Sequence, residues 1–569
     1  MIDNHTFEGT ILEEMRRVVG ERNVLTHPRR ITRFVEGFRF GGGPVEAVVR
    51  PGTLVEMWRT IKLAVSADCT VIFQAANTGL TGGSTPWGSS YDRKVILISL
   101  MRLKGVHFHE DSQQVVCLPG STLNELETML APMGREPHSV IGSSCLGASV
   151  LGGICNNSGG ALIRRGPAFT ELALFARVSA AGELELVNNL GFDLGEDPEA
   201  ILTRVERGDF PRSTRPEAWA SDREYQSHVR DIAAGTPARF NSDPRRLHNA
   251  SGCAGKLAVF AVRLDTFEAE TDTKVFYIGT NDPDVLTSIR REILSGFDQL
   301  PIAGEYIHRD AYELAAKYGK DTFVIIKKLG TRRIPRVFGL KARFDALSHA
   351  VGLGSTLSDR FAQAVSALLP EHLPERMNEF YRRYEHHLLL KVSAASSHET
   401  ETLLKEAFEK ADGSFFVCDE REASAAFLHR FAVAGAASRY RSIHSKTVED
   451  IVALDIALPR NERNWVEQLP AEIEQKLLKK LYYGHFFCHV FHQDYVVKLG
   501  EDCLAVEHAM WRILDQRKAE YPAEHNVGHL YKAKQALTSF YQCIDPTNTF
   551  NPGIGQTAFG KNWNKCCQH

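Results

Sequence analysis

"QAANTGLTGGST", residues 74 to 85, is the stretch from which the rest of the chain is best read. It follows the apolar run Thr70-Val71-Ile72-Phe73 and sets three glycines among small hydroxyl and amide side chains. A loop with so little side-chain bulk exposes its own backbone N–H groups, and a concave row of such donors suits a phosphate or another anion. Glycine and asparagine also mark ordinary turns. Gly83 is followed directly by Ser84-Thr85, so the segment is not a P-loop, and it does not fit G-x-G-x-x-G between a strand and a helix. A nucleotide held here belongs to neither of the two commonest nucleotide folds.

The 569 residues, 43% hydrophobic and 24% charged, suffice for two or three domains with sizeable cores. A formal net charge of −3 argues against general affinity for nucleic acid. Eleven cysteines without C-x-x-C spacing predict reduced thiols in a cytosolic setting rather than a disulfide scaffold. The N-terminal "MIDNHTFEGTILEEMRRVVG" has no signal-peptide pattern, and no run elsewhere approaches 18 apolar residues. The expectation is a protein neither secreted nor membrane-spanning, with attachment to a membrane surface still permitted.

Beyond a helical N-terminal segment, short apolar runs alternate with helical stretches in an α+β pattern. Two more segments are rich in small residues, "IGSSCLGASVLGGICNNSGG" (141–160) and "SGCAGKLAVFAV" (251–262), the second leading into an alternating strand. Residues 185–245 are polar and read as a long surface excursion. A new strand-and-helix unit starts at "KVFYIGTNDPDVLTSIRREIL", and "HHLLLKVSA" with "TETLLKEAFEKAD" resumes it after a basic interruption.

Together, "ANTGLTGGSTP", residues 141–160 and "GCAGKLAVFAV" resemble the FAD-contacting segments of the FAD-linked oxidases of the vanillyl-alcohol oxidase type. The C-terminal "AEHNVGHLYK" and "DPTNTFNPGIG" are similar to the closings of the 2-hydroxy-acid branch, and the likeness extends along the chain to the bacterial respiratory, quinone-dependent D-lactate dehydrogenases. This resemblance implies a two-part PCMH-type FAD-binding domain plus an α/β cap domain interrupted by a basic membrane-binding insertion. The divisions expected are 1–265 (FAD-binding), 266–307 (cap, first part), 308–384 (basic insertion), 385–422 (cap, second part), 423–446 (second membrane-binding segment), 447–516 (cap, third part) and 517–569 (C-terminal part of the FAD-binding domain, with an active-site loop). It also implies that Ala75, Ala76, Asn77, Thr78, Gly79, Gly83 and Ser84 wrap the FAD pyrophosphate. Gly142, Ser149 and Gly159 would contact the flavin and ribityl region, and Val259 the adenine side. Relatives that tether their flavin carry a histidine on the pyrophosphate loop; none lies between Gln74 and Thr85, so non-covalent FAD is expected.

Oxidising an α-hydroxy acid needs a base for the hydroxyl proton, a hydride acceptor and a cation for the carboxylate. By the same resemblance His525 is the base, and Arg430, in "AFLHRFAVAG", holds the carboxylate through its planar guanidinium. His485, His492 and Glu524 fall on the positions of a divalent-metal set, which suits Zn²⁺ or a similar ion. "FFCHVF" departs from the relatives' intervening sequence, so a metal-free histidine pocket is the alternative. A regular strand would put His485 and His489 on one face and His492 on the other; joining His485 to His492 requires a bend. Relatives also carry a lysine two residues before an aspartate where this chain has Ala453 before Asp455, consistent with a small apolar-ended acid such as lactate.

Residues 317–344 hold nine Lys/Arg against the single acid Asp321, interleaved with large apolar side chains that include Phe323. That mixture suits an anionic bilayer, and "SRYRSIHSK" (438–446) would extend the same face. The expected activity is oxidation of D-lactate to pyruvate through FAD, with electrons passed to ubiquinone or menaquinone at the cytoplasmic face of the inner membrane, on a peripheral enzyme that does not engage nucleic acid. The alternatives are another D-2-hydroxy acid, 2-hydroxyglutarate or glycolate, and a non-catalytic membrane-associated flavin protein.

Overall fold

In the computed structural model, which describes residues 4–138, 147–215, 217–329, 357–367 and 371–564, the apolar runs on either side of the glycine loop become parallel neighbours. Strands β1 (Val24–Leu25), β2 (Ala47–Val49), β3 (Thr70–Gln74) and β4 (Val95–Ser99) form a sheet in the order β1-β2-β4-β3. Every residue of β3 and β4 is buried, as strands covered on both faces require, which is why each is built on a continuous apolar run, Val71–Phe73 and Val95–Ile98. The helix Leu54–Ser66 packs into the same core. Thr53 caps it by accepting the Glu56 N–H at 3.0 Å, and Leu54, Met57, Trp58, Ile61 and Ala64 recur at helical spacing on its buried side.

A second sheet holds β5 (Val106–His109), β6 (Gln114–Cys117), β7 (Arg135–Pro137), β8 (Ala173–Val178), β9 (Leu184–Asn188) and β10 (Ala258–Glu268). Its order is β5-β6-β10-β8-β9, and β7 pairs with the end of β10. The two sheets share one apolar core, which Phe550 joins from the far end of the chain. The Val71 N–H donates to Thr549 O at 3.0 Å and the Asn551 N–H to Val71 O at 2.9 Å, so the closing residues extend the edge of β3.

The third sheet comprises β11 (Thr273–Thr280), β12 (Ala303–His308), β13 (His386–Ser393), β14 (Ser414–Val417), β15 (Val448–Ala457), β16 (Leu477–His485) and β17 (Val490–Lys498), in the order β14-β11-β13-β12-β16-β17-β15. Alternation along the strands divides its side chains between two cores. Phe276, Ile278, Tyr306 and Leu388 face the helices Pro283–Gly296 and Ala394–Lys410. Tyr277, Ile307, Leu389 and Tyr483 face the helices Arg309–Tyr318 and Glu420–Ile443. The α+β class expected from the sequence is the class observed.

Two expectations change. The polar excursion 185–245 sends Tyr225, Val229 and Ala238 into a core of the third sheet and buries Arg239. Its charge is spent internally, as in the pair of Asp222 with Arg246 just beyond the stretch, at 2.6 Å, and polarity there does not signal exposure. In the basic stretch, Phe323 is buried and Asp321 pairs with Arg439 of the helix Glu420–Ile443, so Phe323 is not free to enter a bilayer. Arg441, from the stretch expected to extend the basic face, pairs with Asp450 at 3.1 Å. Residues 330–344 of the basic stretch, and Gly142, lie outside the described residues.

Burial also makes the fold acid-sensitive. It holds the imidazoles of His138 and His529 down at about 4 and those of His387 and His429 at about 3. In the unfolded chain each titrates near 6.5. Below pH 6.5 the unfolded state therefore binds more protons, and stability falls as the pH falls towards the folded values. We expect the melting temperature to drop steeply between pH 6.5 and 4.5, and His429→Phe to flatten the slope by about 1.4 kcal/mol per pH unit. A melting series unchanged across that window contradicts this account.

Candidate active site

The glycine loop is closed by its own small polar groups, which leaves its backbone free. At the end of β3, Gln74 Nε2 donates to Phe34 O at 2.7 Å and to Ser84 O at 2.8 Å. Asn77, in the left-handed region at φ 53°, donates to Glu36 O at 2.9 Å and accepts the Ser84 hydroxyl at 3.1 Å. Among the described residues, the backbone N–H groups of 75–84 find no protein acceptor; only that of Thr85 does, at Gly82 O. A Cβ at Gly79 would stand 2.8 Å from Asn526 Nδ2, and one at Gly83 3.0 Å from it. An open row of donors with no room for side chains fits a diphosphate.

The other expected cofactor contacts have distinct settings. Ser149 caps the helix Val150–Cys155 by accepting the Gly152 N–H at 3.0 Å, and Val259 lies at the start of β10 beside a bulge in its pairing with β8. Gly159 faces the other end of the site. A Cβ there would fall 2.1 Å from Glu524 Oε1, so this glycine makes room for a carboxylate.

The bend required between His485 and His492 is a tight hairpin. β16 ends at His485, residues Phe486–Cys488 form a 3₁₀ turn, and His489 takes a left-handed φ of 53° before β17 begins. In that register Tyr483 lies opposite His492, and the His485 and His492 rings meet edge to face at 5.3 Å. His489 turns away and bonds Pro459 O at 3.1 Å.

Carboxylates from neighbouring strands orient these imidazoles. Glu305 on β12 meets His485 Nδ1 at 2.6 Å, while His485 Nε2 points to Glu524 at 3.3 Å. Asp455 on β15 accepts the backbone N–H groups of Glu524 at 2.7 Å and His525 at 2.8 Å. It also stands 3.4 Å from His492 Nδ1 and 3.5 Å from His525 Nδ1. The His525 ring stacks on His492 at 5.6 Å, with its side chain 40% exposed. Arg239, from the polar excursion, donates from Nε to Glu524 Oε1 at 2.6 Å and from Nη2 to Gly160 O.

Electrostatics follow from this packing. Burial pushes the Glu524 carboxyl up, but Arg239 and His485 more than offset it and hold it at about 2. Asp455 is likewise raised by burial and then carried far below the ordinary carboxylate range by His525, His492 and the Glu524 N–H. For His485, burial opposes the charge while Glu305 and Glu524 favour it, with a net rise to about 9.

His485, His492 and Glu524 offer ligand atoms that all lie within 4.8 Å of one another. Both histidines turn Nδ1 to a carboxylate, the usual outer-shell arrangement around metal-bound histidine, and the His485 Nε2–Glu524 contact at 3.3 Å is the one an ion would replace by binding both atoms. The donor set therefore fits the divalent ion expected. Arg430 is nearby but not a bare cation, because Nη2 pairs with Glu305 Oε2 at 2.9 Å and the guanidinium lies 4.8 Å above the Tyr483 ring. Its Nε has no partner among the described residues.

Glu305, Arg239 and Asn526 were given no role from sequence, and Asp455 entered only as the aspartate two residues after Ala453. Asn526 alone carried a signal, as the neighbour of His525 in "AEHNVGHLYK". Arg239 has none, since its partner is 285 residues away.

Residues 45–184 match the family described as "FAD binding domain" and residues 275–563 the family described as "D-lactate dehydrogenase, membrane binding". The chain is 56% identical to the quinone-dependent D-lactate dehydrogenase of Escherichia coli (strain K12) over 99% of this chain and 98% of that one. It is 55% identical to the enzyme of the same name from Haemophilus influenzae over 97% and 99%. Among solved structures, a 4-ethylphenol oxidase from Gulosibacter chungangensis bound to isoeugenol matches with a TM-score of 0.58 at 12% identity, covering 97% and 98% of the two chains. p-Cresol methylhydroxylase matches with 0.56 at 10% identity, covering 98% of each, and these two likenesses concern the fold alone. With a membrane-binding family spanning more than half of its length and relatives of one name covering nearly all of it, the chain belongs to the family of the quinone-dependent D-lactate dehydrogenases.

Proposed function

We propose that this protein oxidises D-lactate to pyruvate through FAD and hands the electrons to a membrane quinone. The balance is D-lactate plus quinone to pyruvate plus quinol, two electrons and two protons in all. The observation that carries the site assignment is the convergence of His485, His492, Glu524, His525 and Arg430 around Asp455 and Glu305, joined by Asn526 to the glycine loop. FAD, when bound, supplies the acceptor for the hydride leaving Cα of the substrate. Ala75 to Gly79, Gly83 and Ser84 would hold its diphosphate on backbone N–H groups, with Gly142, Ser149, Gly159 and Val259 along its length.

His525 is the proposed base. With Nδ1 turned to Asp455, Nε2 is left to take the hydroxyl proton, and the Asp455 charge steadies the imidazolium that results. Arg430 would hold the carboxylate, a reading that its Nε, unpartnered among the described residues, supports. His485, His492 and Glu524 would hold a divalent ion, whose chemistry at such a site is Lewis acidity towards substrate oxygens.

The protein acts as a peripheral membrane protein: its second half matches a membrane-binding family, and among the described residues no helix is long and apolar enough to cross a membrane. We place it on the cytoplasmic face of the inner membrane, in keeping with cysteine usage suited to a reducing compartment. We divide the chain at 265, 307, 384, 422, 446 and 516; the change from the second to the third sheet, between Glu268 and Thr273, lies close to the first boundary.

Anaerobic bleaching of the bound flavin tests the substrate, and D-lactate should bleach it where 2-hydroxyglutarate and glycolate do not. Arg430→Ala should raise KM for D-lactate by about 10- to 100-fold, the worth of a charge-assisted hydrogen bond, and an unchanged KM removes the residue from the site. Purified protein should contain a stoichiometric divalent metal, and chelation should slow bleaching while leaving FAD bound. Metal-free protein of full activity defeats that part of the proposal.

A further inference from the structure

A polar cavity of about 370 Å³ opens on the second sheet, away from the glycine loop. At about 3.3 Å per strand residue, Arg263 lies about 13 Å and Phe267 about 26 Å along β10 from Val259, and no residue assigned to FAD or substrate lines the cavity. Four guanidinium groups do, those of Arg135, Arg215, Arg223 and Arg263, against only two carboxylates, Glu110 and Asp265.

Both carboxylates are already engaged. Asp265 accepts Gln114 Nε2 at 2.7 Å and Ser221 Oγ at 2.6 Å, and Glu110 takes Arg263 Nη2 at 3.2 Å. Two of the arginines are built into the wall. Arg263 is buried, donates to Gln114 Oε1 at 2.5 Å and lies 4.5 Å over the Phe192 ring. Arg135 is pinned to the side chain and the carbonyl of Thr266 at 2.5 and 2.7 Å.

The other two stand at the exposed side with charge to spare. Arg215 reaches Asn189 at 3.5 Å and Glu217 only at 3.9 Å, and Arg223 makes no hydrogen bond or ion pair among the described residues. Converging like charges repel, and a pocket of this kind becomes favourable when an anion enters it. Guanidinium forks match phosphate oxygens in pairs, and the volume lies in the range of small-molecule pockets, larger than phosphate alone needs. We propose that this cavity binds a phosphomonoester of about nucleotide size, with Arg263 and Arg135 as the fixed wall and Arg215 and Arg223 closing on the phosphate.

The test is calorimetric titration of the FAD-loaded full-length protein, so that the cofactor site is filled, with AMP, glycerol 3-phosphate and inorganic phosphate at low salt. AMP should bind at least tenfold more tightly than inorganic phosphate and more tightly than glycerol 3-phosphate. Preference for glycerol 3-phosphate, a much smaller monoester, overturns the nucleotide-size assignment. Arg215→Ala and Arg223→Ala, both on exposed side chains, should each weaken binding about tenfold or more and leave D-lactate-dependent bleaching unchanged. Absence of binding by all three anions, or binding indifferent to both substitutions, overturns the proposal.

Discussion

Asp455→Asn is expected to slow reduction of the flavin by D-lactate about 10³-fold, with FAD content and melting temperature close to those of the parent protein. The Asp455 Oδ2 atom accepts both the Glu524 and the His525 backbone N–H groups, and an asparagine oxygen can take over that place. The new amide NH₂ then stands where Oδ1 faced His492 Nδ1 at 3.4 Å, donor against donor, and drives the imidazole to its other tautomer. The substitution also removes the charge 3.5 Å from His525 Nδ1 that steadies the protonated base. In the hydrolytic triads the corresponding change, with geometry intact and the tautomer wrong, costs about 10⁴ in rate. Rapid-mixing absorbance at the flavin band measures it, and a loss below tenfold denies Asp455 its positioning role.

What could be read from the sequence divides along a physical line. The glycine loop stood out because an open row of backbone donors imposes a local rule, absence of Cβ atoms, that is written in consecutive residues. His485, His492, Glu524 and His525 were legible by resemblance, and the structure brings all four together. Their supports were not legible. Glu305 reaches His485 only because β12 pairs with β16 in a register that sets the two opposite each other, and Asp455 faces His492 through the pairing of β15 with β17. Such registers join residues 180 and 37 positions apart and leave no periodic trace between them. Arg239 was hidden more deeply still, in a stretch whose polarity argued for the surface.

Arg239→Met should accordingly produce the largest loss of stability of any single change at the site, about 3–5 kcal/mol, read as a lower urea midpoint at constant slope. The guanidinium is 2% exposed and its partner Glu524 is 6% exposed, so removing one leaves a buried carboxylate without its counter-charge. The carbonyls of Gly160 and Leu162 lose their donors at the same time. The Glu524 carboxylate already occupies the volume a Cβ at Gly159 would fill. A second substitution separates packing from chemistry. In Arg239→Met with Glu524→Gln neither member of this pair is charged and His485 keeps Glu305 as its counter-charge, so most of the lost stability should return, because replacing both members of a buried pair is close to neutral. Flavin reduction should stay impaired in that double variant, since Glu524 also faces His485 Nε2 and completes the candidate metal set. If the single variant unfolds at the parental urea concentration, the pair does not hold the site together; if the double variant recovers full activity, Glu524 serves packing alone.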